Sequence, residues 1–320
     1  MNGSSEQGPE KDTWPRLPLD GWRETYKALH MRAQMVGKTR LALAPMQNHW
    51  WQVVLYVTPR GLSTSTMHHD RGALEIELDF LDHRLAIRTS DGEERRLPLQ
   101  AESVADFYEA YRAALRDLRI EARIWPVPVE LEEAVPFLEQ RDLAPYDGDA
   151  AQRCWRVLSR ADRVFQRFRG RFLGKCSPVH FWWGSFDLAC TRFSGEPAPR
   201  HPGGIPHLGD AVTREAYSHA CISAGWWPGT PGMFDEPAFY AYAYPEPPGC
   251  PEAEVRPSAA RYDPGLKEWI LPYEAVRTAE DPDGAVMEFL ESTYGAAATL
   301  GGWNRAALER PKEQSSRMRP

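Results

Sequence analysis

The sequence predicts an α+β protein made of two similar halves. Each half reads as helix, antiparallel sheet, helix, and the two are expected to be related by an internal duplication. Three observations carry this. Trp22, Tyr26, Leu29, Ala33 and Val36 recur at three and four residues, the spacing of one helical stripe. Leu74, Ile76, Leu78 and Phe80 alternate with Glu75, Glu77 and Asp79, the pattern of a half-exposed antiparallel strand. The signals then repeat in order. Trp22-Arg23, Gly37-Lys38, His49-Trp50-Trp51 and Arg60 are followed by Trp155-Arg156, Gly174-Lys175, His180 to Trp183 and Arg192.

In chain order, residues 1–13 read as a disordered polar tail and 14–127 as the N-terminal half. Its first helix spans Asp20 to Val36, with Asp20 as N-cap and Gly37 as stop. Strands follow at His49 to Thr58, Leu62 to Met67, Ala73 to Phe80, His83 to Thr89 and Arg95 to Leu99, with Asp91-Gly92 turning one hairpin. A helix from Ser103 to Leu118 closes the half, with Ser103 as its N-cap. Residues 128–148 form a Pro-rich connection. The C-terminal half covers 149–309: a helix from Ala150 to Phe172, a strand from about Pro178 to Phe193, strands at Glu215 to Ala224, Ala238 to Tyr244 and Leu266 to Pro272, and a helix from Pro282 to Leu300. Residues 310–320 are a polar tail.

Composition narrows the function classes. The net charge of -7 disfavours a nucleic-acid partner, which needs a dense basic surface. The basic run Arg167 to Arg171 reads as a solvated helix end. Five cysteines without C-x-x-C spacing point to reduced thiols and a cytoplasmic location, and Cys190 and Cys221 to inert buried thiols. No apolar stretch is long enough to span a membrane. The chain has no nucleotide motif and no G-x-S-x-G elbow. The oligomeric state is not legible.

The most aromatic run, Ser177 to Phe193, contains His180, Asp187 and Arg192 within an apolar pattern. Read as one straight strand, it puts His180, Trp182 and Arg192 on one face and Asp187 on the other. A carboxylate amid apolar residues needs a partner, either a structural one or one that belongs to a site. Gly225-Trp226-Trp227-Pro228-Gly229 reads as a turn displaying two indoles, and Tyr240, Tyr242 and Tyr244 share one strand face. Such rings either fill the core or line a pocket.

The runs from His180 to Ala189, Thr191 to Gly195, Ala216 to His219 and Tyr240 to Tyr242 with Pro245-Glu246-Pro247 resemble a bacterial family carried under a domain-of-unknown-function label. The resemblance extends over most of residues 14–305. It implies no activity, cofactor or catalytic residue.

The expected function is a small-molecule enzyme of unspecified reaction, with an aromatic-lined pocket centred on the C-terminal half. His180, Asp187, His219 and Glu246 are the candidate catalytic residues. Arg192, Trp182, Trp227, Tyr240 and Tyr244 are the candidate substrate contacts, with Arg192 suited to a carboxylate. One alternative is a metal-dependent enzyme such as an oxygenase, drawing on His180, His201, His207, His219, Cys221, Asp187 and Glu246. His68-His69-Asp70 is an equally loose ligand set. A second alternative is a non-catalytic ligand-binding or sensor module.

Overall fold

The computed structural model describes residues 13–311 except 231 and 233. The expected polar tails therefore lie almost wholly outside the described residues. The order is α1 (Arg23–Leu43), then a sheet of β1 (Tyr56–Val57), β2 (Gly61–Ser63), β3 (Met67–His69), β4 (Gly72–Asp79), β5 (Arg84–Thr89) and β6 (Glu94–Pro98). The short strand β7 (Glu102–Ser103), α2 (Val104–Asp117), β8 (Leu143–Ala144) and α3 (Gly148–Arg169) lead to the second half. That half contains β9 (His180–Trp182), β10 (Asp187–Pro197), α4 (Asp210–Ala216), β11 (His219–Trp227), β12 (Ala238–Tyr244), β13 (Arg261–Asp263) and β14 (Glu268–Pro272). α5 (Tyr273–Arg277), α6 (Pro282–Leu300) and α7 (Arg305–Leu308) close the chain.

This is an α+β fold with two main antiparallel sheets. The first runs β1-β2-β4-β5-β6, with β3 also on β4, and the second β13-β14-β12-β11-β10-β9. Helix–sheet–helix order recurs in the two halves. The strand matched to His180 does not: His49 lies on a single 3-10 turn with positive φ, and the chain becomes extended only at Tyr56. One continuous hydrophobic core runs through both halves. Leu55 and Phe181 exchange both backbone hydrogen bonds, at 2.7 and 2.9 Å, and so join the edges of the two sheets.

Helix α1 departs most from its expected form. Trp22 rather than Asp20 is its N-cap, and it runs through Gly37 to Leu43. It is buried from Ala28 to Arg40 on every side, not along one stripe, so His30, Arg32, Gln34, Lys38 and Arg40 all point into the protein. Each needs a partner there. His30 Nε2 donates to the Gly184 carbonyl at 2.8 Å, and the Gln34 amide bonds Val129 N and O at 3.0 and 2.8 Å. Gly37 is not a stop but a point of close approach. A Cβ there would overlap the Trp183 ring, whose Nε1 donates to the Val53 carbonyl at 2.7 Å. Gly37→Ala gains up to ~1 kcal/mol of helix propensity. It loses ~1–3 kcal/mol to overpacking. The expected net result, read by urea denaturation, is a protein less stable by about 1–2 kcal/mol.

The other helices keep their expected spans within a few residues. Ser103 caps α2 by accepting from Asp106 N, and Asp147 caps α3 by accepting from Ala150 N. The expected strand at Glu215 begins instead as α4, and β11 starts at His219.

Candidate functional site

The Ser177–Phe193 run is a hairpin, not one strand. β9 and β10 pair antiparallel across a turn at 183–186. Phe186 takes a left-handed backbone at φ 59° as the chain enters β10. The turn resets the alternation. Asp187 now sits opposite Trp182 and Ala189 opposite His180, so His180 and Trp182 share a face with Asp187 rather than with Arg192.

Following the register across the sheet separates its two faces. One carries Leu188, Cys190, Ile222, Ala224, Trp226, Phe239, Ala241, Trp269 and Leu271, all buried, and packs against α3 and α6. Trp226 belongs to this core, within β11 and fully buried, so it is not displayed on a turn. The other face carries Asp187, Thr191, Ser223, Gly225, Trp227, Tyr240, Tyr242, Tyr244 and Glu268. A loop over this polar face supplies Glu130, whose N–H donates to the Pro206 carbonyl at 2.9 Å.

The polar face brings three carboxyl groups together. Asp187 accepts hydrogen bonds from the Ser185 and Tyr240 hydroxyls. Tyr240 reaches it by lying across Gly225, where a Cβ would collide with its ring and hydroxyl. Glu130 tucks against Gly184, where a Cβ would overlap its carboxylate. Burial pushes Asp187 up to about 6, against the lowering effect of its two hydroxyl donors. Burial and then the Asp187 charge push Glu130 up to about 7, with Lys38 pulling it back. Burial, Asp187 and Asp263 push Glu268 up to about 8. Burial pushes the Lys38 ammonium down to about 8, with Glu130 pulling it up. Glu130, Glu268 and Tyr242 are half-buried, so solvent reaches the edge of the cluster.

Aromatic rings adjoin this cluster. Trp227 and Tyr240 lie 5.4 Å apart, Tyr240 stacks on Tyr242 at 6.1 Å, and the Tyr242 and Tyr217 hydroxyls bond at 2.7 Å. His201 stacks on Tyr217 at 4.8 Å, and Tyr244 lies 5.1 Å from Tyr217. Glu130 adds a left-handed backbone at φ 61°, of the kind that collects at binding sites.

Of the residues expected from sequence, the structure brings together Asp187, Tyr240 and Trp227, with Trp182 and His180 on the adjoining strand and Tyr244 farther along β12, beside Tyr217. Three stand apart. Arg192 is on the core face, buried over Phe168 at 3.4 Å and Tyr294 at 4.3 Å, and donates to the Phe168 carbonyl. It has no path to a ligand on the polar face, which corrects its expected role as a carboxylate clamp. Glu246 is exposed and accepts from the Tyr262 hydroxyl at 2.7 Å. His219 contacts Ser218 Oγ at 3.0 Å, and its ring lies 5.8 Å from that of His49. Cys190 is buried with its Sγ 3.7 Å from Cys176 Sγ, and Cys221 is also a buried free thiol. Among the described residues, no three His, Cys, Asp or Glu side chains are placed to hold a metal ion.

Sequence reasoning missed Glu130, Glu268, Lys38 and Tyr217. Glu268 had a signal, a carboxylate opening the apolar run Trp269-Ile270-Leu271. Glu130 had none, since it sits in the Pro-rich connection. A depression of about 610 Å³ lies elsewhere, lined by Arg167, Arg171, Asp281, Glu288 and Glu291. It is open, and Arg171 and Glu291 are already paired there at 3.3 Å. Converging chemistry, rather than volume, places the candidate site on the sheet face.

A family model described as a family of unknown function, DUF5996, matches residues 14–310. The chain belongs to the DUF5996 family. That match spans both sheets and every residue of the acid cluster. No curated protein and no solved structure matches the chain. Among the described residues of this DUF5996 protein, no helix is long and apolar enough to cross a membrane.

Proposed function

We propose that the protein is a small-molecule enzyme that works by proton transfer, with Asp187 and Tyr240 as its acid–base centre and Glu130 and Glu268 beside them. The observation that carries this reading is the cluster itself. Three carboxyl groups lie close enough to repel one another and are pushed up to about 6, about 7 and about 8, so they exchange protons around neutral pH. Because they interact, they release those protons as a set. The surrounding phenols and Trp227 suit a small organic molecule with an unsaturated or cationic part, which ring faces and carboxylates both favour. The second reading, a non-catalytic ligand-binding module, draws on the fact that Asp187 is already engaged by two hydroxyls.

The test uses the full chain and a small-molecule cell extract, followed by mass spectrometry. We expect wild type to consume at least one compound, and Asp187→Asn and Tyr240→Phe to slow that loss ~10²–10⁴-fold, the range of general acid–base catalysis. Consumption at an equal rate in both variants overturns the assignment. A compound that co-elutes with wild type unchanged, and not with Asp187→Asn, decides for the binding module.

A further inference from the structure

A second cluster lies next to the acid centre and uses none of its groups. His180 is fully buried, and neither of its ring nitrogens has a hydrogen-bond partner. Burial and the cations of Arg40 and Arg169 push it down to about 3, so the ring is neutral, with one nitrogen to donate and one to accept. Arg40 is 6% exposed. Its Nε donates to the Gln52 carbonyl at 2.7 Å, while Nη1 is buried and unpartnered. Its guanidinium lies 5.3 Å over the Tyr56 ring, and that phenol is the one titratable group favouring its charge among the described residues. A buried cation with no counter-charge is costly unless something absent from the chain supplies one.

These two side chains converge on one segment. Arg40 holds the Gln52 carbonyl, the Trp51 ring is 6.4 Å from that of His180, and Leu55 is bridged to Phe181. The Trp182 ring also meets His180 edge-on, at 5.0 Å. At the rim, exposed Lys175 sits 5.5 Å over Trp51, with its Nζ 2.6 Å from His49 Nε2. His49 and Trp50 hold left-handed backbones at φ 56° and 62° that set this rim. The electrostatic neighbours of His180, Arg40, Lys175 and His49 include no carboxylate.

We propose that this cluster binds a small oxyanion, a carboxylate or phosphate group, held by Arg40 and His180 beside the Trp51 and Trp182 rings with Lys175 at the entrance. The oxyanion supplies the missing counter-charge and accepts from Arg40 Nη1 and the imidazole N–H. The second imidazole nitrogen needs a donor, so an anion that also carries an O–H fits best. Hydrogen phosphate and α-hydroxy carboxylates meet that demand, and acetate does not. The site shares no residue with the Asp187 centre, so the two readings stand or fall separately.

The experiment titrates the full chain, ¹⁵N-labelled at histidine, with inorganic phosphate, glycolate and acetate at constant ionic strength set by chloride. His180→Gln assigns the resonances. We expect saturable shifts of both His180 ring nitrogens and a rise in Tm that grows with ligand concentration. A response to phosphate or to glycolate identifies the source, with acetate the weaker of the two carboxylates. Arg40→Gln weakens binding about tenfold or more, and Lys175→Met, an exposed change that leaves folding intact, weakens it a few-fold. The absence of any saturable shift means that ordered water fills the site and overturns the proposal. Affinity unchanged in both variants overturns it equally.

Discussion

Stability is expected to fall as the pH rises from about 6.5 to about 8, and Glu130→Gln with Glu268→Gln should remove most of that slope. An ordinary Glu carboxyl ionises near 4.5, while these two are pushed up to about 7 and about 8 in the fold. The folded protein therefore holds protons that the unfolded chain has already released. Their contribution is complete below the unfolded value and is lost as the pH climbs through the folded values. Asp187, pushed up to about 6, acts in the same sense slightly earlier. His30 and His180 act in the opposite sense. Pushed down to about 4 and about 3, they cost stability only where the unfolded imidazole takes up a proton, below about 6.5. Lys38, pushed down to about 8, enters above the window. A tenfold difference in proton affinity between folded and unfolded chain is worth ~1.4 kcal/mol. Because Glu130 and Glu268 are half-buried and water screens them, we expect a loss of about 1–2 kcal/mol over the window. Urea denaturation of wild type and the double variant at several pH values measures it. Parallel curves for the two proteins would show that these carboxyls ionise as they do in water.

Much of the architecture was legible because it is local. The alternation at Leu74 to Phe80 became β4, the Tyr240, Tyr242 and Tyr244 face became one side of β12, and Pro282 to Leu300 became α6 with those same bounds. The site was half legible. Asp187 stood out because a carboxylate inside an apolar run is anomalous wherever the chain goes. Glu130 and Glu268 did not, and Tyr240 stood out without being paired to Asp187, because these residues are distant in sequence and meet only through sheet register and a covering loop. A turn at 183–186 also inverted the facing of Arg192 relative to His180, which strand alternation alone cannot reveal. Buried polar residues on α1 were hidden for a similar reason. Their apolar neighbours suggested one stripe, while α2, α3, β3, β8 and the 183–186 turn together bury the whole circumference.

Gly225→Ala is expected to destabilise the protein by about 3 kcal/mol and to release Tyr240 from Asp187. A Cβ at Gly225 would meet the Tyr240 hydroxyl and ring, which cross β11 at that point to reach the carboxyl. Displacing the ring costs ~1–3 kcal/mol of overpacking. Removing a hydroxyl donor from a buried carboxyl adds ~1–3 kcal/mol. Alanine's better fit to a strand returns less than ~1 kcal/mol. The glycine thus sets the shape of the site rather than the flexibility of the strand, since the backbone there is ordinary extended sheet paired on both sides. A double-mutant cycle separates these causes. With Tyr240→Ala in place the obstructing ring is gone, so Gly225→Ala should cost little, giving a coupling of about 3 kcal/mol between the two positions. Equal costs in both backgrounds would mean that the glycine answers to something other than Tyr240. A released Asp187 also loses a donor that holds its carboxyl down, so its ¹³C-detected titration should move above about 6 in the Gly225→Ala protein.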